Sequence, residues 1–412
     1  MKNLLAGLVT VALLCFGAAQ AQGRIAYITL NGQVATVNPD GSEPRVLSTG
    51  AQQFQFPAWS PEGGSLAVLG SDQEGGFVQV LTDEVDAQPN ELYRSATEAP
   101  FYLYWSPDGA QVSFLANRAG GLGMHVVPVG EVPIGETLVA TGSPFYWQWT
   151  ADAEQMFIHT GFTGERARLG FIDSDEDTLE ENLAPPGRFQ APGLSPSGRY
   201  VAYAANTPGR GAEVVVQTVP GSDEALTREA SHAGFAALSW SPVRDELAFM
   251  SPENEAQAAF GSIKLLDAET GLLEPLTERR AVAFFWSPDG DTIAFFTPAR
   301  SGGGDVAETE TLQKINQESV NQQGVLLDLY AIDVSERTEE LVATFTPTPL
   351  FTGQFLPFFD QYALSHSVWS PESDALVLPV VDSESRTFRV AVISLDGTVT
   401  PVGEGDMPFW SR

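Results

Sequence analysis

The residues Asp173-Ser174-Asp175-Glu176-Asp177 set carboxylates at alternate positions, the arrangement that opens a calcium-binding loop. A loop of that kind also needs glycine at its sixth position, which is missing, and glutamate at its twelfth, where Ala184 stands. The run therefore reads as a solvated hairpin turn. The four histidines, His125, His159, His232 and His366, are spread over well-separated segments, whereas a zinc centre draws three or four ligands to one point. No metal site is expected. The sole cysteine, Cys15, lies in an apolar N-terminal segment, which excludes thiolate catalysis, disulfides and cysteine-ligated zinc from the rest of the chain. The Gly-x-Ser-x-Gly elbow of serine hydrolases, the His-Glu-x-x-His pair, the phosphate loop and the dinucleotide-binding glycine pattern are all absent. No catalytic residue and no cofactor are assigned.

Two other groups point to binding. Arg118, Arg166, Arg188, Arg210, Arg300 and Arg386, together with Arg279 and Arg280, fall in or beside connecting loops. Guanidinium forks match carboxylates and other anions, so these arginines form an expected anion-recognising rim. Phe351, Phe355, Phe358, Phe359 and Tyr362 crowd a second segment, Pro347 to Ser365. Exposed aromatics in so long a loop are expected to meet a partner. The plainer readings are that arginine simply populates solvated loops and that the aromatics seal their own core.

The charge balance narrows the partner. The chain holds 53 acidic residues against 21 basic ones, a net charge of −32, with lysine only at positions 2, 264 and 314. Nucleic acid and anionic membrane surfaces are excluded as partners, because no basic cluster offsets the repulsion. Hydrophobic residues make up 43%, enough for a sizeable core. Residues 1–21 read as a signal peptide: Lys2, an apolar stretch from Leu4 to Phe16, and Ala19-Gln20-Ala21 as the cleavage site. The mature chain is then expected to be periplasmic or secreted, soluble and monomeric.

The elements that must position any site follow from a repeat. Trp59-Ser60-Pro61-Glu62-Gly63 returns as Trp105-Ser106-Pro107-Asp108-Gly109, Trp240-Ser241-Pro242, Trp286-Ser287-Pro288-Asp289-Gly290 and Trp369-Ser370-Pro371-Glu372. Weaker copies begin at Trp149 and Leu194, and a truncated one at Trp410. The spacing is about 45 residues, roughly doubled between Trp286 and Trp369. Short apolar strands follow each copy, such as Leu66-Ala67-Val68 and Ile293-Ala294-Phe295. Recurrence makes the Trp-Ser-Pro-Asp residues structural: tryptophan packs between units and aspartate caps its own turn. Four strands per unit and little helical periodicity give an all-β fold, a single β-propeller of eight four-stranded blades over residues 22–412. One blade is expected to be built from both termini, pairing Arg24–Ile28 with Met407–Trp410 and closing the ring. Insertions are expected at 299–324 and 347–365.

The Trp-Ser-Pro-Asp-Gly turn followed by Ile-Ala-Phe resembles the repeat of TolB-type propellers, a WD40-like class, over essentially the whole mature chain. The N-terminal α/β domain of that family has no counterpart here. The repeats are also similar to the propeller that precedes the hydrolase domain of prolyl-oligopeptidase-like peptidases, a domain not found in this sequence. The resemblance implies an exported non-catalytic scaffold that binds a protein or peptide partner in the cell envelope. Two alternatives are a propeller enzyme, hydrolase or lyase, with its site at the channel mouth beside the arginine rim, and a detached peptidase-type propeller acting with a separate hydrolase.

Overall fold

The computed structural model describes residues 23–130, 136–175, 182–207, 211–252, 261–299 and 325–412. The expected signal peptide, residues 300–324 of the first insertion (Arg300 among them), Arg210, and Glu176 and Asp177 of the acidic run lie outside the described residues.

Each Trp-Ser-Pro repeat becomes a turn between two antiparallel strands. In the Trp105 unit, Pro100–Trp105 pairs with Gln111–Arg118, then Gly121–Pro128, then Thr137–Gly142. The second strand is buried at every position from Val112 to Ala116. A strand covered on both faces by neighbouring blades reads as a continuous apolar run rather than an alternation. Outermost strands lack that cover, and Leu273–Pro275 is exposed throughout.

The turn explains why the motif recurs. Ser106 Oγ donates to Asp108 Oδ1 (2.6 Å) and accepts from the Gln111 amide (2.9 Å), while Asp108 Oδ1 accepts from the Ala110 amide (3.0 Å). Ser287 with Asp289 and Thr150 with Asp152 repeat the arrangement. The fifth residue sits in the left-handed region, as at Gly109 (φ 69°) and Gly290 (φ 73°). In the degenerate copies Ala153 (φ 62°) and Ser373 (φ 61°) accept that conformation at a steric cost glycine avoids. Four of the tryptophans staple adjacent blades. The indole N–H of Trp105 donates to the Ala58 carbonyl (3.0 Å), Trp286 to Ser239 (3.1 Å), Trp369 to Phe285 (3.1 Å) and Trp59 to Phe409 (3.1 Å). Every acceptor is the residue just before the preceding unit's turn tryptophan.

The strands form an all-β, single β-propeller, but the blade count needs correction. The described residues make seven sheets, not eight separate four-stranded blades. Five have four strands, and the Trp149 sheet has three: Phe145–Trp149, Gln155–Thr160 and Arg168–Asp173. The seventh has six strands, because Val399–Trp410 is one continuous strand. Its first half pairs with Phe388–Ser394 and its second half with Ile25–Thr29, merging the Trp369 and Trp410 repeats into one sheet. The pairing of Ile25 with Trp410 brings the two ends of the described chain together.

Candidate functional site

The segment after strand Glu339–Phe345 is not a surface loop. It forms a π-helical turn (Phe351–Phe355), a 3-10 turn (Leu356–Phe358) and an α-helix (Phe359–Ser365) before the chain re-enters the ring at Ser367. Phe351, Phe355, Phe359 and Tyr362 are spaced at helical intervals and so share one face. The helix packs against four inner strands: Pro100–Trp105, Phe145–Trp149, Ala237–Trp240 and Ala283–Trp286. An element touching the inner strands of four blades lies in the central channel and plugs it.

The plug is held by rings and by three polar side chains. Phe355 stacks on Phe285 (5.9 Å between centroids), Phe359 meets Phe284 edge-on (5.1 Å), and Tyr362 stacks on Phe56 (5.0 Å). Gln361 Nε2 donates to the Trp147 carbonyl (2.9 Å), and Gln361 Oε1 accepts from the Trp147 amide (3.0 Å), so the side chain imitates a strand partner. Asp360 accepts from the amides of Ala191 (3.3 Å) and Gln361 (3.0 Å). His366 is bonded to Ser365 Oγ through Nδ1 (2.6 Å) and lies 4.6 Å from the Phe409 ring.

Most of the aromatics expected to form a docking patch lie inside the ring. Phe351, Phe355, Phe359 and Tyr362 are each at most 5% exposed, and only Phe358, at 39%, reaches solvent. Among the described residues, the arginines of the expected rim are held on separate elements. Arg118 is ion-paired with Glu98 (3.4 Å) and Arg279 with Glu339 (2.6 Å). Arg166, Arg188 and Arg386 are exposed on separate loops, Arg386 within the turn that follows Asp382. Among the histidines, His125 is stacked on Phe114 and His159 on Phe189, both buried. Among the described residues no three His, Cys, Asp or Glu side chains are close enough to share a metal ion.

The concave site lies at the other end of the ring. Because the plug enters from a blade-to-blade connection, it leaves the channel open on the side of the Trp-Ser-Pro turns. A cavity of about 550 Å³ remains there. Pro196, Pro242, Pro288 and Pro371 come from the turns, Trp240, Trp286 and Trp369 from the walls, and Asp360, Ala363, Leu364 and His366 from the plug as floor. Tyr104 and Arg412 also line it, and Arg412 donates to the Leu364 carbonyl (3.2 Å).

The floor carries one group able to change charge near neutrality. Burial raises the Asp360 carboxyl to about 7, against the pull of its two amide donors. Burial lowers His366 to about 3, keeping it neutral, and raises Tyr104 to about 12. Asp360 thus holds its proton more tightly folded than unfolded, so its ionisation removes stability as pH rises from about 4 to 7. The penalty at pH 8 is on the order of 4 kcal/mol. Asp360→Asn is expected to melt higher than the native protein at pH 8, with the difference shrinking towards pH 4; thermal melts across that range check it.

No protein-family model matches the chain. An uncharacterised protein of Agrobacterium fabrum is 25% identical over 264 residues, 61% of this chain and 87% of that protein. A eukaryotic initiation factor superimposes over 95% of this chain and 98% of its own with a TM-score of 0.53 and 13% identity, a likeness of fold alone. TolB of Acinetobacter baumannii is also among the structural neighbours, covering 94% of this chain and 81% of its own at 12% identity. Its TM-score is 0.42. No described helix is long and apolar enough to cross a membrane.

The plug and the funnel escaped the sequence reading for different reasons. The helical spacing of Phe351, Phe355 and Phe359 was the available signal, masked by Pro357 and by a surrounding fold made of strands. The funnel is assembled from single residues of several repeats, which no local pattern marks.

Proposed function

We propose that this protein is an exported, monomeric, non-catalytic propeller that captures a protein or peptide in the cell envelope, and that the funnel on the turn face is where it does so. One observation carries the reading: the channel is closed by its own helix at one end and left as an apolar, proline- and tryptophan-rimmed cavity at the other. Such walls suit an extended peptide, whose side chains find apolar cover while its backbone meets Ser239, Ser241, Ser367 and Tyr104. Arg118 and Arg166, in loops that join second to third strands and so lie at the end of the ring opposite the Trp-Ser-Pro turns, play no part in this site.

A second reading, a hydrolase or lyase working in the same funnel, is favoured by Asp360, a carboxyl poised near neutrality as a general acid or base requires. Calorimetric titration with a panel of extended peptides, beside turnover assays on ester, peptide and glycoside substrates, separates the two. Saturable peptide binding without turnover is expected. Turnover abolished by Asp360→Asn would establish the enzyme instead.

A further inference from the structure

Asp360 differs from Asp83, a part-buried carboxylate for which the fold supplies cations. Asp83 is ringed by cations, with Arg24 at 2.7 Å and Arg45 at 2.8 Å. Asp360 is 2% exposed, lines the funnel floor and has only backbone amides as partners, with no cation in ion-pair reach among the described residues. A carboxylate buried without a counter-charge is costly, and the missing partner is a positive one.

Resting on the funnel as docking site, we propose that it takes a lysine or arginine side chain of an extended peptide, with the cationic head seated against Asp360. The walls fit the rest of such a side chain. Its methylene stem lies along apolar residues such as Trp240, Leu238 and Phe285, as long cationic side chains do elsewhere. Indole faces attract a passing cation, and the net charge of −32 draws basic segments towards the mouth. Arg412 is the opposing charge, but it is solvent-exposed and tied to the Leu364 carbonyl, where water and salt screen it.

The proposal fixes a pH signature. The titratable groups on the elements packed around Asp360 are Tyr102 and Tyr104 on one inner strand, Tyr146 on another, Tyr362 and His366 on the plug, and Arg412 at the mouth. Burial keeps the four tyrosines protonated and His366 neutral well beyond the range from pH 5 to pH 8. Asp360 alone among them changes charge there. A bound cation favours the ionised carboxylate, so binding releases a proton below about pH 7, and affinity falls with pH there, approaching about tenfold per unit below pH 6.

The test is fluorescence anisotropy of the intact protein with labelled Gly-Pro-Lys-Pro-Gly amide and its Gln and Glu counterparts, from pH 5 to pH 8. The lysine peptide is expected to bind at least tenfold more tightly than the glutamine peptide at pH 8, to lose about fivefold between pH 7 and pH 6 and about tenfold between pH 6 and pH 5. Asp360→Asn should erase both effects. Should that variant fail to fold, the pH dependence of the native protein decides. Equal binding of all three peptides would overturn the cation site and leave peptide docking standing. Binding of none would overturn docking and the cation site together.

Discussion

Replacing Phe351, Phe355 and Phe359 together by serine is expected to abolish cooperative unfolding and leave a partly folded, aggregating chain. These rings are 5%, 2% and 4% exposed and interlock with Phe284, Phe285, Phe296 and Phe409. Emptying one buried phenylalanine site costs about 3–5 kcal/mol, and a domain holds only about 5–15 kcal/mol in all. The three costs are not additive, because Phe351 stacks on Phe355 at 5.2 Å and a shared cavity relaxes. Even so, the loss exceeds what a propeller can absorb. Phe358→Ser, 39% exposed, is the control and should shift stability by no more than about 0.5 kcal/mol. Circular dichroism melts and urea titrations read both. A triple variant that melts like the native protein would show that the segment is no part of the core.

The second large effect is expected from stopping the chain after Glu404. The lost segment pairs Gly405 with Thr29 and Trp410 with Ile25. It also holds the Phe409 carbonyl that receives the Trp59 indole, and Met407, whose sulfur accepts the Phe56 amide at 3.4 Å. Without it, Ile25–Thr29 becomes an open apolar edge, a template for pairing with other chains. Size-exclusion chromatography should show aggregation, and any monomer should melt well below the intact protein. Identical elution and melting would mean that the ring does not depend on this closure.

Both predictions draw on what the sequence does and does not reveal. The Trp-Ser-Pro-Asp-Gly turn is local, and its hydrogen bonds lie within six residues, so the repeat and the propeller were legible from spacing alone. The indole staples were legible only as packing, since each acceptor lies in the preceding blade. The count of blades was not. Turns mark where a strand begins, but nothing in Val399–Trp410 marks that one strand serves two repeats. Phe351 to Tyr362 stood out for their aromatic content, while the direction they take, into the channel rather than out to solvent, depends on inner strands far away in sequence. Asp360 could not be singled out among the acidic residues of so acidic a chain. What sets it apart is burial without a counter-charge at the floor of the funnel, a property of the assembled channel.

The most direct test of the central claim, that binding happens in the funnel and not on the arginine-bearing face, is one comparison of peptide affinity. Ala363 is partly exposed on the funnel side of the plug helix, and Ala363→Trp would fill much of the cavity beside Leu364 and Trp369. Arg118→Ala with Arg166→Ala alters the opposite face and leaves the funnel untouched. Calorimetric titration of all three proteins with the same lysine peptide at pH 8 is expected to show binding lost in Ala363→Trp and unchanged in the double arginine variant. Full affinity in Ala363→Trp, or its loss on removing the two arginines, would contradict the account.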